Sequence, residues 1–104
     1  MNDTASRTET LKFQPGQIVA TPGALEALGA AGQQPGEFLS RHLSGDWGAL
    51  EDEDRALNDS ALTDGSRLLS AYMMATGERI WIITEAVGDD GKRTSTCCLL
   101  PSEY

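Results

Sequence analysis

The chain has 104 residues, 39% hydrophobic and 23% charged, which is the size of one domain and too short for two. Eight Lys and Arg against sixteen Asp and Glu give a formal charge of −8, which argues against direct nucleic-acid binding: a phosphate backbone needs clustered cations, and only Lys92 and Arg93 are adjacent. No run approaches the roughly 18 apolar residues of a membrane span, and the polar start MNDTASRTET has no apolar leader segment, so no membrane partner and a cytoplasmic location are expected.

Residues 1–10 carry no large apolar side chain after the initiator and are predicted to be a disordered tail, leaving 11–104 as a single α+β domain. After the break at Pro15-Gly16, the β-branched pair Ile18-Val19 predicts a short edge strand. Thr21-Pro22-Gly23 reads as an N-cap followed by proline at the first helical position; Leu25 and Leu28 supply the apolar side until Gly29 and Gly32 end the helix. Gln34-Pro35-Gly36-Glu37 starts a second helix, whose buried stripe is Phe38, Leu39 and Leu43 and whose end is near Ser44-Gly45. A third helix is predicted over 50–63, with Leu50, Leu57 and Ala61 on one side and Glu51, Asp52, Glu53 and Asp54 at its positive end.

From Ser66 the pattern becomes extended, over 67–75, 79–86 and 93–100. Asp90-Gly91 predicts a type I′ hairpin, in which both central residues take positive φ. The expected architecture is a short N-terminal strand, two or three helices, and a C-terminal three-stranded antiparallel meander packed on them. In the middle strand Ile80 and Ile82 alternate with Trp81 and Ile83, so both faces are expected to be covered, or nearly so.

Little of this carries catalytic chemistry. His42, the single histidine, has Ser40, Ser44 and Asp46 nearby in sequence but no nucleophile motif around it, and reads as a structural or surface residue. Cys97 and Cys98 are neighbours, without the spacing of a zinc or redox pair, and are expected to stay reduced. The run Asp52-Glu53-Asp54 fails as a calcium loop, since Ala56, Leu57 and Thr63 occupy positions that need oxygen ligands or glycine. Neither glycine-rich phosphate motif occurs. No catalytic residue, metal or cofactor is therefore assigned.

Charge is the uneven feature. Residues 46–64 hold seven carboxylates against Arg55 alone, a net of −6. One reading is a solubilising helix face; the other is a docking surface for a basic protein, made of Asp46, Trp47, Glu51, Asp52, Glu53, Asp54 and Asp59. Trp47 is then an exposed anchor, although a tryptophan between two glycines also suits the edge of a core.

His42, Gly45-Asp46-Trp47-Gly48, Asp54, Asn58, Ser70-x-Tyr72, Gly77, the strand Ile80-Trp81-Ile82-Ile83-Thr84-Glu85 and the ending Leu99-Leu100-Pro101-Ser102-Glu103-Tyr104 resemble a family of small bacterial proteins. Its members are labelled plasmid-related, or named by neighbourhood after restriction-modification subunits. The resemblance runs from about Phe13 to the end and implies an association with mobile elements, with no activity or catalytic residue to carry over.

The leading expectation is a non-enzymatic accessory protein of a bacterial mobile element, acting through its acidic surface on a protein partner. A sharper version is a DNA mimic that occupies a nucleic-acid-binding surface. A small enzyme or ligand-binding domain is the rival, with a pocket near the Gly45 to Gly48 turn formed by His42, Asp46, Asn58 and Tyr72. A third reading is an obligate dimer or antitoxin-like partner in which an exposed edge of the meander pairs with another chain.

Overall fold

The computed structural model describes residues 11–104, and the tail predicted over 1–10 lies outside the described residues. The elements follow the expected α+β order: β1 (Gln17–Ala20), α1 (Pro22–Ala31), α2 (Pro35–Leu43), α3 (Asp52–Asp64), β2 (Leu68–Met73), β3 (Arg79–Thr84), β4 (Ser95–Leu99) and a 3₁₀ turn, Pro101–Glu103. Local chemistry explains the helix ends. Thr21 accepts the Ala24 amide at 3.0 Å on its side chain with Pro22 behind it, and Gly32, at φ +69°, closes α1. Asp52, Glu53 and Asp54 sit in the first turn of α3, and Gly65, at φ +82°, ends it.

The sheet order is β1-β4-β3-β2. The last three strands form the predicted antiparallel meander, but β1 lies parallel to β4, so the sheet is mixed. A parallel pair needs a long crossover, which the three helices supply. No helix among the described residues is long and apolar enough to cross a membrane.

All three helices bury against one face of the sheet. Ala24, Ala27 and Leu28 of α1 and Phe38 of α2 pack with Tyr72, Ile80, Ile82 and Cys98, while Trp47, Ala61 of α3 and Leu68 form a smaller cluster with Phe13, Leu50 and Leu62. On the opposite face Trp81 meets Tyr104 edge-on at 5.5 Å, and the Tyr104 hydroxyl accepts from Arg67 at 2.9 Å. Tyr104 shelters only the centre of that side, and Val19 and Met73 stay exposed on it.

Three sequence expectations change. Leu25 is exposed because small alanines take the contact and let α1 approach the strands. Leu57 is 67% exposed, because α3 turns Asn58 inward instead: its amide donates to the Leu69 carbonyl (2.6 Å) and accepts the Leu69 amide (3.2 Å). The hairpin is longer than a type I′ turn, since among the described residues none but glycine has positive φ. Asp90 instead accepts the Lys92 amide on its carboxylate at 3.0 Å, an Asx-type turn.

Cys97 and Cys98 are free thiols, as expected. Cys98 lies in the main core, where burial pushes its thiol up to about 11, and it stays neutral and unreactive.

Candidate functional site

The Gly45 to Gly48 turn joins α2 to α3 and is tied down by both. Arg41 donates through Nε to the Asp46 carboxylate at 2.7 Å, and its guanidinium lies 4.6 Å from the centre of the Tyr72 ring. The pairing with Arg41 holds the Asp46 carboxyl below its ordinary range. From the other side Arg55 donates to the carbonyls of Gly48 (3.1 Å) and Leu50 (3.0 Å). The turn also pairs with the edge of β2: the Ala49 amide donates to the Ala71 carbonyl at 2.7 Å and the Ala71 amide to Trp47 at 3.2 Å. With Asn58 bonding both backbone groups of Leu69, the outer edge of β2 is occupied at alternate residues.

A cavity of about 280 Å³ lies on this turn, lined by Gly45, Asp46, Trp47, Gly48, Arg55 and Asp59. Of the four residues expected to converge in a pocket, only Asp46 lines it. The Tyr72 hydroxyl donates to the Asp46 carbonyl at 2.6 Å, Asn58 is spent on Leu69, and His42 lies wholly inside the core. Trp47 is 4% exposed, stacks on Phe13 and donates its indole N–H to Asp59 at 3.0 Å. It is the plug at the core edge and leaves no anchor standing out from the surface.

The sequence reading missed the partners of His42. Its Nδ1 lies 2.5 Å from the Ser70 hydroxyl and its Nε2 2.9 Å from Thr84; Thr84 is 2.7 Å from Thr96, which donates to the Pro15 carbonyl at 2.8 Å. A carbonyl can only accept, and that sets the direction of the whole chain. Thr96 gives its proton to Pro15, so Thr84 donates to Thr96, the His42 Nε2–H donates to Thr84, and the unprotonated Nδ1 accepts from Ser70. The signal was available in principle: Ser70, Thr84 and Thr96 are the polar residues on an otherwise apolar strand face. All four side chains are 0% exposed, so this serine and histidine cannot reach a substrate from solvent.

Burial holds the His42 pKa down at about 4, and Arg93 adds to the shift. An unfolded histidine takes its proton near pH 6.5. Between those values the unfolded chain binds a proton that the folded chain refuses, so stability is complete above about pH 6.5 and falls as the pH is lowered toward 4. The expected loss is about 1.4 kcal/mol per pH unit between about pH 6 and 5, before the carboxylates titrate. Urea denaturation across that range would show it; because His42 is the only histidine, an NMR titration midpoint near 6.5 would refute it directly.

The acidic residues of α3 have a different setting. Glu51, Asp52, Glu53, Asp54 and Asp59 are all exposed. Among the described residues the ion pairs are Arg41–Asp46 and Arg67–Glu85, and neither uses a carboxylate of α3. Glu53, Asp54, Ala56, Leu57 and Ser60 line an open groove of about 440 Å³, which puts the exposed Leu57 among carboxylates. No group of His, Cys, Asp and Glu able to hold a metal ion occurs among the described residues.

No family model, no curated protein and no solved structure matches the chain.

Proposed function

We propose that the protein is a non-enzymatic accessory factor that works by protein contact, docking the acidic face of α3 onto a basic surface of its partner. The observation that carries this reading is the combination on one helix of exposed carboxylates without cationic partners among the described residues and an exposed leucine in the groove between them. Leu57 offers apolar area at the centre of the contact. The ring of charge speeds association and makes it sensitive to salt. The bound surface is one that ordinarily handles nucleic acid, which makes the factor an antagonist by charge mimicry, and the resemblance to plasmid-related proteins supports an association with a bacterial mobile element. The turn carrying Asp46 and Trp47 supports the helix, because Arg55 and Asp59 of α3 hold it.

The test is reversal of Glu51, Asp52, Glu53 and Asp54 to lysine, with capture of host proteins by tagged wild type and variant at low and high salt. The expected result is a basic protein retained by the wild type at low salt, released at high salt, and lost by at least tenfold in the variant. Reversal also removes favourable charge from a helix N-terminus, at about 0.3 to 1 kcal/mol per residue, so the variant's melting curve is measured alongside. A folded variant that keeps the partner would refute the reading.

A further inference from the structure

The two edges of the sheet are finished differently. At the β2 edge, Asn58 and the 47–49 segment occupy the backbone groups of Leu69 and Ala71. At the other end β1 is paired only with β4, and among the described residues no strand lies beyond it. The Gln17 amide donates to Thr94 and the Thr21 amide to Cys98, each at 3.0 Å. Alternation along a strand therefore turns the backbone groups of Ile18 and Ala20 away from β4, toward solvent. Ile18 is 48% and Val19 41% exposed, on opposite faces. The strand's sequence, Gln-Ile-Val-Ala, has none of the charges, prolines or bulges that ordinarily protect an edge.

We propose that β1 is a self-association edge, where a second copy of the chain pairs antiparallel with it to join two four-stranded sheets into one. The outward groups determine the register. Ile18 of each copy exchanges both backbone hydrogen bonds with Ala20 of the other, four bonds in all, and the twofold axis passes through a close, non-hydrogen-bonded pair of Val19 residues.

Charge selects a second copy as the occupant, even though each carries −8. The acidic α3 packs on β2, at the opposite end of the sheet from β1. Edge-to-edge pairing through β1 therefore leaves the two acidic helices at the far ends of the joined sheet, separated by roughly 34 Å at about 4.8 Å per strand. That is several times the screening length of about 8 Å at physiological salt. The antiparallel order also sets the Ala20 end of one β1, where Glu103 accepts from Thr21 at 2.6 Å, against the Gly16 end of the other. There Lys92 lines the cleft beside Pro15 and Gly16. Opposite charges thus face each other at both ends of the seam. A four-residue edge makes a small, reversible interface.

Sedimentation of the full chain over a wide concentration range tests the proposal, with Val19→Lys, which sets two ammonium groups against each other on the axis, and Glu53→Lys on α3 as the control. The expected result is a concentration-dependent dimer whose dissociation constant rises at least tenfold in Val19→Lys and is unchanged in Glu53→Lys. As a second readout, Val19→Cys should oxidise to a covalent dimer, since a non-hydrogen-bonded antiparallel pair suits disulfide geometry, whereas Ile18→Cys should not. A wild-type chain that stays monomeric, as it would if the edge served a strand of another protein, overturns the proposal. So does a dimer that survives Val19→Lys, or equal cross-linking at positions 18 and 19.

Discussion

Arg93→Met is expected to destabilise the protein by about 3 to 5 kcal/mol, a large part of the roughly 5 to 15 kcal/mol available to a domain of this kind. Arg93 is 8% exposed, yet its guanidinium bonds no carboxylate among the described residues. It donates to three backbone carbonyls, Ser66 at 2.7 Å, Glu85 at 3.0 Å and Ala61 at 3.0 Å, and lies 5.7 Å from the centre of the Phe13 ring. Ala61 is in the last turn of α3, where the macrodipole favours a cation, and its carbonyl accepts the Gly65 amide at 2.9 Å beside the guanidinium. One side chain thus caps α3, holds the start of β2 and pins the end of β3. Methionine keeps most of the apolar stem and takes the guanidinium from the Ser66 and Glu85 carbonyls, each costing about 1 to 3 kcal/mol when buried, while Ala61 keeps the Gly65 amide. Arg93→Lys should fall between, because an ammonium cannot span the same fork. Urea denaturation of the three proteins decides the matter: a loss below about 1 kcal/mol for methionine would mean that water replaces the guanidinium without penalty.

Arg93 also shows where sequence reading ends for this chain. Beside Lys92 it looks like half of a surface cation pair, and nothing within a few residues says that its partners lie at 61, 66 and 85. Features resting on local chemistry were legible. Thr21-Pro22 starts α1, Pro35 starts α2, the acidic first turn starts α3, and Ile18-Val19 is an edge strand, because caps, turn residues and β-branching act within a few residues of themselves. Helix rotation was harder to read. Leu57 matched an apolar stripe at seven and four residues from Leu50 and Ala61, but the buried position went to Asn58, whose amide could satisfy a strand edge that no leucine can. The polar chain from Ser70 to Pro15 was hidden for a related reason. A serine or threonine in a strand reads as a weakened apolar position until the register sets Ser70 opposite Ile82 and Thr84 opposite Thr96, which places the hydroxyls on the face that receives His42. The acidic concentration at 46–64 was visible from composition. Its exposure on α3, where no carboxylate has a cationic partner among the described residues, needed the fold.

Gly48→Ala should be comparably severe, at about 3 kcal/mol or more. Gly48 has φ +78°, and a methyl group there would run into the Ala71 carbonyl oxygen and stand 2.6 Å from a Tyr72 ring carbon. The left-handed conformation alone costs an L-residue about 1 to 2 kcal/mol. Gly77, at φ +94° with nothing within 4 Å of the added carbon, isolates that part; Gly77→Ala should lose only the conformational amount. The excess at Gly48 measures the close approach of the turn to β2, where Ala49 and Trp47 exchange hydrogen bonds with Ala71 and Tyr72 reaches the Asp46 carbonyl. Relieving the clash means lifting the turn away from the strand, which strains those bonds and loosens Trp47 over His42. Thermal or urea unfolding of the two alanine variants gives the comparison. If they lose equal stability, the turn is not held against the sheet. If Gly48→Ala loses substantially more, the Gly45 to Gly48 segment is a fixed brace against β2, held from the other side by Arg55 and Asp59 of α3.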